Sequence, residues 1–80
     1  MIYHFDGDDY RYEFYFVREY GIAYIMIKAY DKDRGGSIST GRRIEDRKVL
    51  WRSEAEDKGL HLTPAAKNYV DKLVKLIAFI

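Results

Sequence analysis

The sequence contains no cysteine and a single proline among its 80 residues. Without cysteine, neither a disulfide nor a thiolate metal site can stabilise so short a chain, so its hydrophobic core or a partner subunit must do so. No apolar run reaches the roughly 18 residues that a bilayer-spanning helix requires. The first residues, MIYHFDGDD, also lack the basic and apolar regions of a signal peptide. We therefore expect a soluble cytoplasmic protein without membrane contact.

Positive and negative charges nearly balance over the whole chain, but they do not balance within each third of it. The net charge of the chain is +1. Residues 1–31 have a net charge of −3, residues 32–52 have a net charge of +4, and residues 53–80 have a net charge of zero. An apolar fraction of 48% and an aromatic fraction of 16% are typical of a globular chain rather than a disordered one. We expect one domain spanning residues 1–80, with its basic side chains concentrated in the middle third.

Two segments near the N-terminus have the pattern of paired β-strands. Residues 10–19, YRYEFYFVRE, alternate between two faces, and residues 22–31, IAYIMIKAYD, are rich in β-branched and aromatic side chains. Tyr20 and Gly21 between them suit a two-residue hairpin turn. The same register satisfies both faces of the hairpin. It pairs Phe16 with Ile25, Phe14 with Ile27, Tyr12 with Ala29, and Glu13 with Lys28.

A strand is also predicted on each side of this hairpin. The first residues, IYHF, turn back through DGDD, which places Phe5 opposite Tyr10 and Tyr3 opposite Tyr12. Residues 42–58 are open to two interpretations, because a helix and a strand pair both collect apolar side chains there. Two strands turning near Glu45 and Asp46 give the tidier pattern and are favoured.

The C-terminal segment is predicted to be an amphipathic helix that begins at Thr63 and Pro64, a capping residue followed by a proline at the first helical position. Its apolar arc covers about half the circumference, more than the ~100° stripe that one sheet needs. Because this excess would be exposed in a monomer, we expect a symmetric homodimer through the helix, formed by Val74, Phe79 and Ile80. The predicted fold is thus α+β: an antiparallel β-meander of four to five strands with one C-terminal amphipathic helix packed on its apolar face.

Motifs that could carry chemistry are incomplete. The stretch GGSISTGRR, residues 35–43, has nearly the glycine spacing of a phosphate-binding loop, but Arg42 and Arg43 stand where lysine and Ser or Thr are required. The preceding DKDRGG resembles the start of a calcium loop, yet the bidentate glutamate of such a loop is replaced by Arg42. The two histidines, at positions 4 and 61, have no metal-chelating spacing. We therefore predict no enzymatic activity, no metal and no cofactor.

The outer face of the predicted meander interleaves aromatic and basic side chains. This composition suits either a protein interface, where tyrosine and arginine are enriched, or a platform on which single-stranded nucleic acid stacks. Protein binding is favoured because the chain pI of 7.9 is below that of most dedicated nucleic-acid binders. We expect a non-enzymatic module that binds another protein, with nucleic acid as the alternative ligand. The expected partner-binding residues are Arg11, Tyr15, Tyr24, Lys28, Tyr30, Arg34, Arg42, Arg43, Arg47 and Lys48.

By analogy of size and style alone, such a module resembles the small proteins with which phages and mobile elements inhibit host machinery, including anti-CRISPR proteins. No sequence motif carries this resemblance. It implies an inhibitor that acts by occupying a surface of its target.

Overall fold

The computed structural model describes residues 1–77, which form one antiparallel sheet and two helices. The sheet has five strands in the order of the sequence, each paired with its neighbour. The fold is α+β, as the sequence predicted. The elements are β1 (Tyr3–Asp6), β2 (Tyr10–Glu19), β3 (Ile22–Asp31), β4 (Ser37–Glu45), β5 (Lys48–Val49), α1 (Glu54–Gly59) and α2 (Pro64–Leu76).

The hairpin of β2 and β3 has the predicted register. Phe14 pairs with Ile27, and Glu13 pairs with Lys28. At the turn, Tyr20 and Gly21 both adopt positive φ angles, of 52° and 78°, as a type I′ turn requires. Because this turn has the same twist as the strands it joins, it fixes the register of the longest hairpin in the sheet.

The first strand pairs two residues away from its predicted register. Phe5 lies opposite Tyr12 rather than Tyr10, and Tyr3 opposite Phe14 rather than Tyr12. The reason is the position of the turn: the N–H of Gly7 donates to the carbonyl of Tyr10 at 2.9 Å, so the turn is centred on the two aspartates that follow Gly7. A shift of two residues preserves which side chains face the core. The expected apolar face is therefore retained.

The segment with two interpretations contains both kinds of structure. Strands β4 and β5 pair Ile44 with Val49, which confirms the favoured strand interpretation there. The turn lies one residue later than expected, at Asp46 and Arg47, which have φ angles of 56° and 62°. The short helix α1 then occupies the rest of the segment. Ser53 caps it by accepting a hydrogen bond from the N–H of Glu56 at 3.3 Å.

The core lies between one face of the sheet and helix α2. Phe14, Ile25, Val70 and Val74 are almost fully buried in it. Because Val74 is only 1% exposed, the expectation that it contributes to a dimer interface is wrong: the helix turns this side chain toward its own sheet. The other two residues of the expected interface, Phe79 and Ile80, lie outside the described residues.

The loop between the helices is tied to the sheet by a buried tyrosine. The side chain of Tyr12 is fully buried, and its hydroxyl donates to the carbonyl of His61, which satisfies a polar group that burial would otherwise penalise. The ring of Tyr10 stacks on His61 at 4.5 Å. None of the helices in residues 1–77 is long and apolar enough to cross a membrane.

Candidate functional site

One face of the sheet carries the strongest candidate site, and we call it the outer face. Both helices lie on the other side: the ring of Tyr69 in α2 lies 5.2 Å from Phe5 and 5.7 Å from Phe14, and Asp57 in α1 contacts the same side. Alternation along each strand then assigns the remaining side chains to the outer face. Those of β1 to β4 are His4, Asp6, Arg11, Glu13, Tyr15, Val17, Glu19, Ile22, Tyr24, Met26, Lys28, Tyr30, Ser37, Ser39, Arg43 and Glu45.

The centre of the outer face is aromatic and partly accessible. Tyr15 and Tyr30 are 42% and 40% exposed, and Tyr24 and Met26 are half-buried. Tyr15 pairs directly with Met26 across the central hairpin. A cleft of about 530 Å³ lies beside this pair. The tyrosines give this surface a large contact area with few mobile torsions, and the flexible Met26 adds an apolar contact that can adapt its shape.

Gly41 in β4 allows this surface to close around Met26. The glycine pairs with Met26, and a Cβ atom on it would lie 2.9 Å from the Met26 sulfur, which is inside van der Waals contact. The absence of a side chain at position 41 therefore lets the thioether lie across the neighbouring strand. Gly41, which the sequence placed in a candidate phosphate loop, has a packing role in the middle of a strand.

The basic side chains of the outer face are paired with acidic ones on that face. Across neighbouring strands, Arg11 Nε lies 3.8 Å from Asp6 and Lys28 Nζ lies 3.7 Å from Glu13. Arg43 lies 2.8 Å from Glu45 in its own strand. Such exposed pairs contribute little to stability. Their consequence is electrostatic: the charge that the sequence suggested for this face is locally compensated.

A fourth cation reaches the same corner of the sheet from the turn after β3. Lys32 Nζ lies 2.7 Å from an oxygen of Asp6 and donates to the carbonyl of Gly7 at 2.6 Å. The hydrogen bond from Lys32 lowers the pKa of the Asp6 carboxyl below its ordinary value. Asp6 is ionised at neutral pH and forms ion pairs with both Lys32 and Arg11.

The middle third of the chain does not form one basic patch. Arg34 lies in the turn before β4, whereas Arg47 and Lys48 lie beyond its other end. Because β4 has nine residues, an extended strand separates the two groups by about 30 Å. Basic residues that are close in sequence are therefore far apart in the structure, and those of the middle third are divided between opposite ends of β4.

The glycine pair at positions 35 and 36 forms a turn. Both residues have positive φ, of 75° and 82°. Asp31 organises the turn, because its Oδ1 accepts hydrogen bonds at 3.0 Å from the N–H groups of Asp33 and Arg34. The bond from Arg34 is the main cause of a lowered pKa for Asp31. With these N–H groups engaged by a carboxylate of the chain itself, the turn is a structural connection between β3 and β4.

Arg42 does not belong to the outer face. Its neighbours Ile44 and Val49 are core residues, and Arg42 is itself only 5% exposed. One guanidinium nitrogen lies 3.3 Å from Asp57 Oδ1, and the other donates to the Thr40 hydroxyl and to a main-chain carbonyl, both at 3.0 Å. The expectation that Arg42 binds a partner is therefore corrected. It anchors α1 to the sheet.

The arginine belongs to a buried ionic cluster that sequence reasoning missed. Asp57, 1% exposed, accepts from Arg42 on one oxygen and from Lys67 Nζ on the other, the latter at 2.5 Å. Lys67 also lies 5.4 Å from the centre of the Trp51 ring, a cation–π distance. Trp51 in turn donates from Nε1 to Asp71 at 3.1 Å. The cluster joins β4, α1 and α2, which explains why a two-turn helix with few apolar residues is held in place.

Two sequence signals could have indicated this cluster. Arg42 follows the two-residue period of Ile38, Thr40 and Ile44, so it lies on the same side of the strand as the apolar Ile44. Ser53 followed three residues later by Glu56 is a capping box, and it marks the start of the helix that carries Asp57. The partner, fifteen residues away, is supplied only by the tertiary fold.

No group of His, Asp or Glu side chains suited to a metal occurs in the part of the chain that the structure describes. Comparison with protein-family models, with curated proteins and with solved structures found no match to this chain. The site therefore has to be interpreted from its own geometry.

Proposed function

We propose that the protein is a non-enzymatic binding module whose outer face binds another protein. The proposal rests on two features that are combined on one face of the sheet. Its tyrosines are accessible, and its charged side chains already form ion pairs with one another. Tyr15, Tyr24 and Tyr30 offer stiff apolar rings with hydrogen-bonding hydroxyls, and Met26 adds an adaptable apolar contact beside them. The ion pairs around them leave little net field, which suits a partner that is not a polyanion.

Nucleic-acid binding is the less favoured alternative. Phosphate recognition needs uncompensated Lys or Arg side chains, because the release of counterions drives it. Arg11, Lys28 and Arg43 each have a carboxylate within 4 Å, and the remaining arginines of the predicted patch are spread over the length of β4 or buried. The tyrosines alone would supply stacking without the electrostatic attraction that single-strand binders also use.

We propose that the protein acts in the cytoplasm, because a chain without cysteine does not depend on disulfides, which a reducing compartment would not maintain. We also propose, on the analogy of size and style, that it inhibits a target by covering a functional surface, as phage-encoded inhibitors of host machinery do.

The test uses two variants that differ only in where tyrosine is removed. The double variant Tyr15→Ala/Tyr30→Ala truncates the outer face, whereas Tyr20→Ala removes a 95% exposed tyrosine at the hairpin turn. Each protein is used to capture partners from host extract. We expect one protein to be retained by the wild type and by Tyr20→Ala and to be lost with the double variant. Equal retention by both variants would place the interface elsewhere.

A parallel measurement addresses the alternative. Fluorescence anisotropy with single- and double-stranded oligonucleotides between about 50 and 200 mM salt detects phosphate-driven binding, which weakens by orders of magnitude over this range. We expect no binding even at the lowest salt concentration. Salt-dependent binding that the double tyrosine variant abolishes would establish the nucleic-acid function instead.

A further inference from the structure

One edge of the sheet is open along the first half of β4. Strand β5 pairs only with Ile44 and Glu45, and the ladder continues by a single bond from the N–H of Leu50 to the carbonyl of Arg43 at 2.8 Å. The five residues from Ser37 to Gly41 pair with β3 on one side. No strand within residues 1–77 pairs with their other side. We call this segment, 37–41, the open edge.

The hydrogen-bond pattern identifies which main-chain groups point outward. In an antiparallel ladder, alternate residues direct their N–H and C=O groups to the same neighbour. The carbonyl of Arg43 points away from β3 toward Leu50, so the odd-numbered residues of β4 face outward. The hairpin end agrees, because the carbonyl of Gly36 accepts from the N–H of Asp31 at 3.1 Å and thus faces inward. The outward groups of the open edge belong to Ser37, Ser39 and Gly41.

The open edge lacks the features that keep sheet edges from pairing. Natural edges are protected by charged side chains, prolines, bulges or very short strands. The opposite edge, β1, carries Asp6, whose side chain is 68% exposed, and β5 has two residues, one of them Lys48. The open edge reads SISTG, with no charge and no proline in a chain that is 34% charged. It also presents Ile38, which is 46% exposed.

We propose that the open edge pairs with the open edge of a second copy of this chain, antiparallel and with the two-fold axis at Ser39. In this register Ser39 lies opposite Ser39 of the second copy, and Ser37 lies opposite Gly41 of the second copy. All three outward-facing residues then meet outward-facing residues, which allows about six main-chain hydrogen bonds. Ile38 lies opposite Thr40 of the second copy and is covered by it, with no like charges in contact.

The side chains around the open edge suit this self-pairing. The outer-face residues of the open edge are serine and glycine, whose small side chains do not obstruct the approach of a second strand. The Met26 thioether, which lies over Gly41, offers an apolar contact to Ser37 of the second copy. At one end of the open edge, Leu50 occupies the position beside β4. At the other end, the turn glycines lead away from the strand, so pairing is limited to about five residues. An interface this small is expected to be weak and concentration-dependent.

The pairing has a consequence for the outer face. A two-fold axis perpendicular to the sheet joins the two sheets into one of ten strands, with both outer faces on the same side. The two sets of tyrosines then form one continuous surface that presents each binding determinant twice. The self-pairing does not depend on the proposed function of that surface, since different atoms carry it.

The decisive variant is Ser39→Pro. Proline removes the outward N–H at the centre of the open edge, where no bond to β3 is lost, and proline is tolerated at such edge positions. The matched control is His4→Pro in β1, which also removes an outward-facing N–H, because the bond between Gly7 and Tyr10 makes the odd residues of β1 face β2. Sedimentation velocity from about 10 μM to 1 mM measures self-association of the three proteins.

We expect the wild type and His4→Pro to associate as dimers with similar dissociation constants. Ser39→Pro should weaken the dimer by about 30-fold, since two symmetric hydrogen bonds are lost. A wild type that is monomeric at 1 mM would overturn the proposal. A dimer that Ser39→Pro leaves unchanged would also overturn it and would indicate an interface elsewhere, such as the C-terminal helix.

Amide hydrogen exchange on the wild type gives a second readout that needs no folded variant. In the dimer, the N–H groups of Ser37, Ser39 and Gly41 should exchange more slowly as concentration rises, whereas those of Ile38 and Thr40, which face β3, should not change. Protection that is absent, or that appears equally at all five residues, would contradict the proposed register.

Discussion

Replacing Asp57 with asparagine should destabilise the protein far more than removing any surface charge. Asp57 is the acceptor that the guanidinium of Arg42 and the ammonium of Lys67 share. Asparagine preserves the size of the side chain but removes its charge. Arg42 is 5% exposed and cannot move into water without leaving the core, whereas the Lys67 side chain is 25% exposed and can partly do so. The cost is therefore set mainly by the arginine.

Breaking a buried ion pair by removing one partner costs about 3–5 kcal/mol, and the mobility of Lys67 favours the lower end, about 3 kcal/mol. A domain of this size has a total stability of about 4–12 kcal/mol. The substitution should thus remove a quarter or more of the free energy of unfolding. It should lower the melting temperature by at least about 12 °C.

Urea denaturation followed by circular dichroism measures this effect. Arg43→Ala is the matched control, because it removes an arginine next in sequence whose partner, Glu45, is exposed. We expect a change within about 0.5 kcal/mol for the control. The reasoning is refuted if Asp57→Asn unfolds within about 0.5 kcal/mol of the wild type. It is supported further if Arg42→Met/Asp57→Leu is more stable than Asp57→Asn, since an apolar pair buries no unpaired charge.

Three further outcomes follow from single contacts. Gly41→Ala should change the free energy of unfolding by less than about 1 kcal/mol, because the new methyl group meets only the flexible end of the Met26 side chain, which can move aside; a larger loss in thermal melts would contradict this account. Ser53→Ala should cost about 1 kcal/mol by removing the cap of α1, a loss that Ser53→Asp should not produce in the same assay. Because its folded pKa is lowered, Asp31 contributes stability above its unfolded pKa that is lost as pH falls through the folded value; Asp31→Asn should reduce this acid sensitivity in unfolding curves, and an unchanged pH profile would contradict it.

The central hairpin was predictable because several local signals agreed. Tyr20 and Gly21 suit a type I′ turn, and the register that this turn imposes places apolar side chains on one face and Glu13 against Lys28 on the other. The β1 register was less constrained. The sequence DGDD accommodates a turn at two positions that differ by one residue, and both give the same buried face, so alternation alone could not choose between them.

The candidate site was only partly predictable. The outer-face residues followed from the register, but their ion pairs depend on side-chain reach across strands. The prediction for Arg42 is wrong because charged residues in a basic stretch are usually exposed, whereas the two-residue spacing from Ile44 puts this arginine on the buried side of β4. The compensating carboxylate lies in α1, a helix whose contact with β4 exists only in the folded chain.

The basic residues in the middle third of the chain illustrate why a binding patch could not be predicted from the sequence alone. Arg34 and Arg47 are close in sequence, and a helix or loop would have kept them close in space. An extended strand of nine residues separates them instead. Local charge density therefore predicts a patch only after the secondary structure between the charges is known.

The most direct test of the proposed function is the affinity of the purified partner for the outer face, measured by calorimetry with the wild type, Tyr15→Ala/Tyr30→Ala and Tyr20→Ala. Truncation of a binding hot spot, a class in which tyrosine is enriched, costs about 2 kcal/mol or more, so the double variant should bind at least about 30-fold more weakly. Tyr20→Ala should bind within about twofold of the wild type. Equal affinity of all three proteins would contradict the assignment of the outer face as the binding surface.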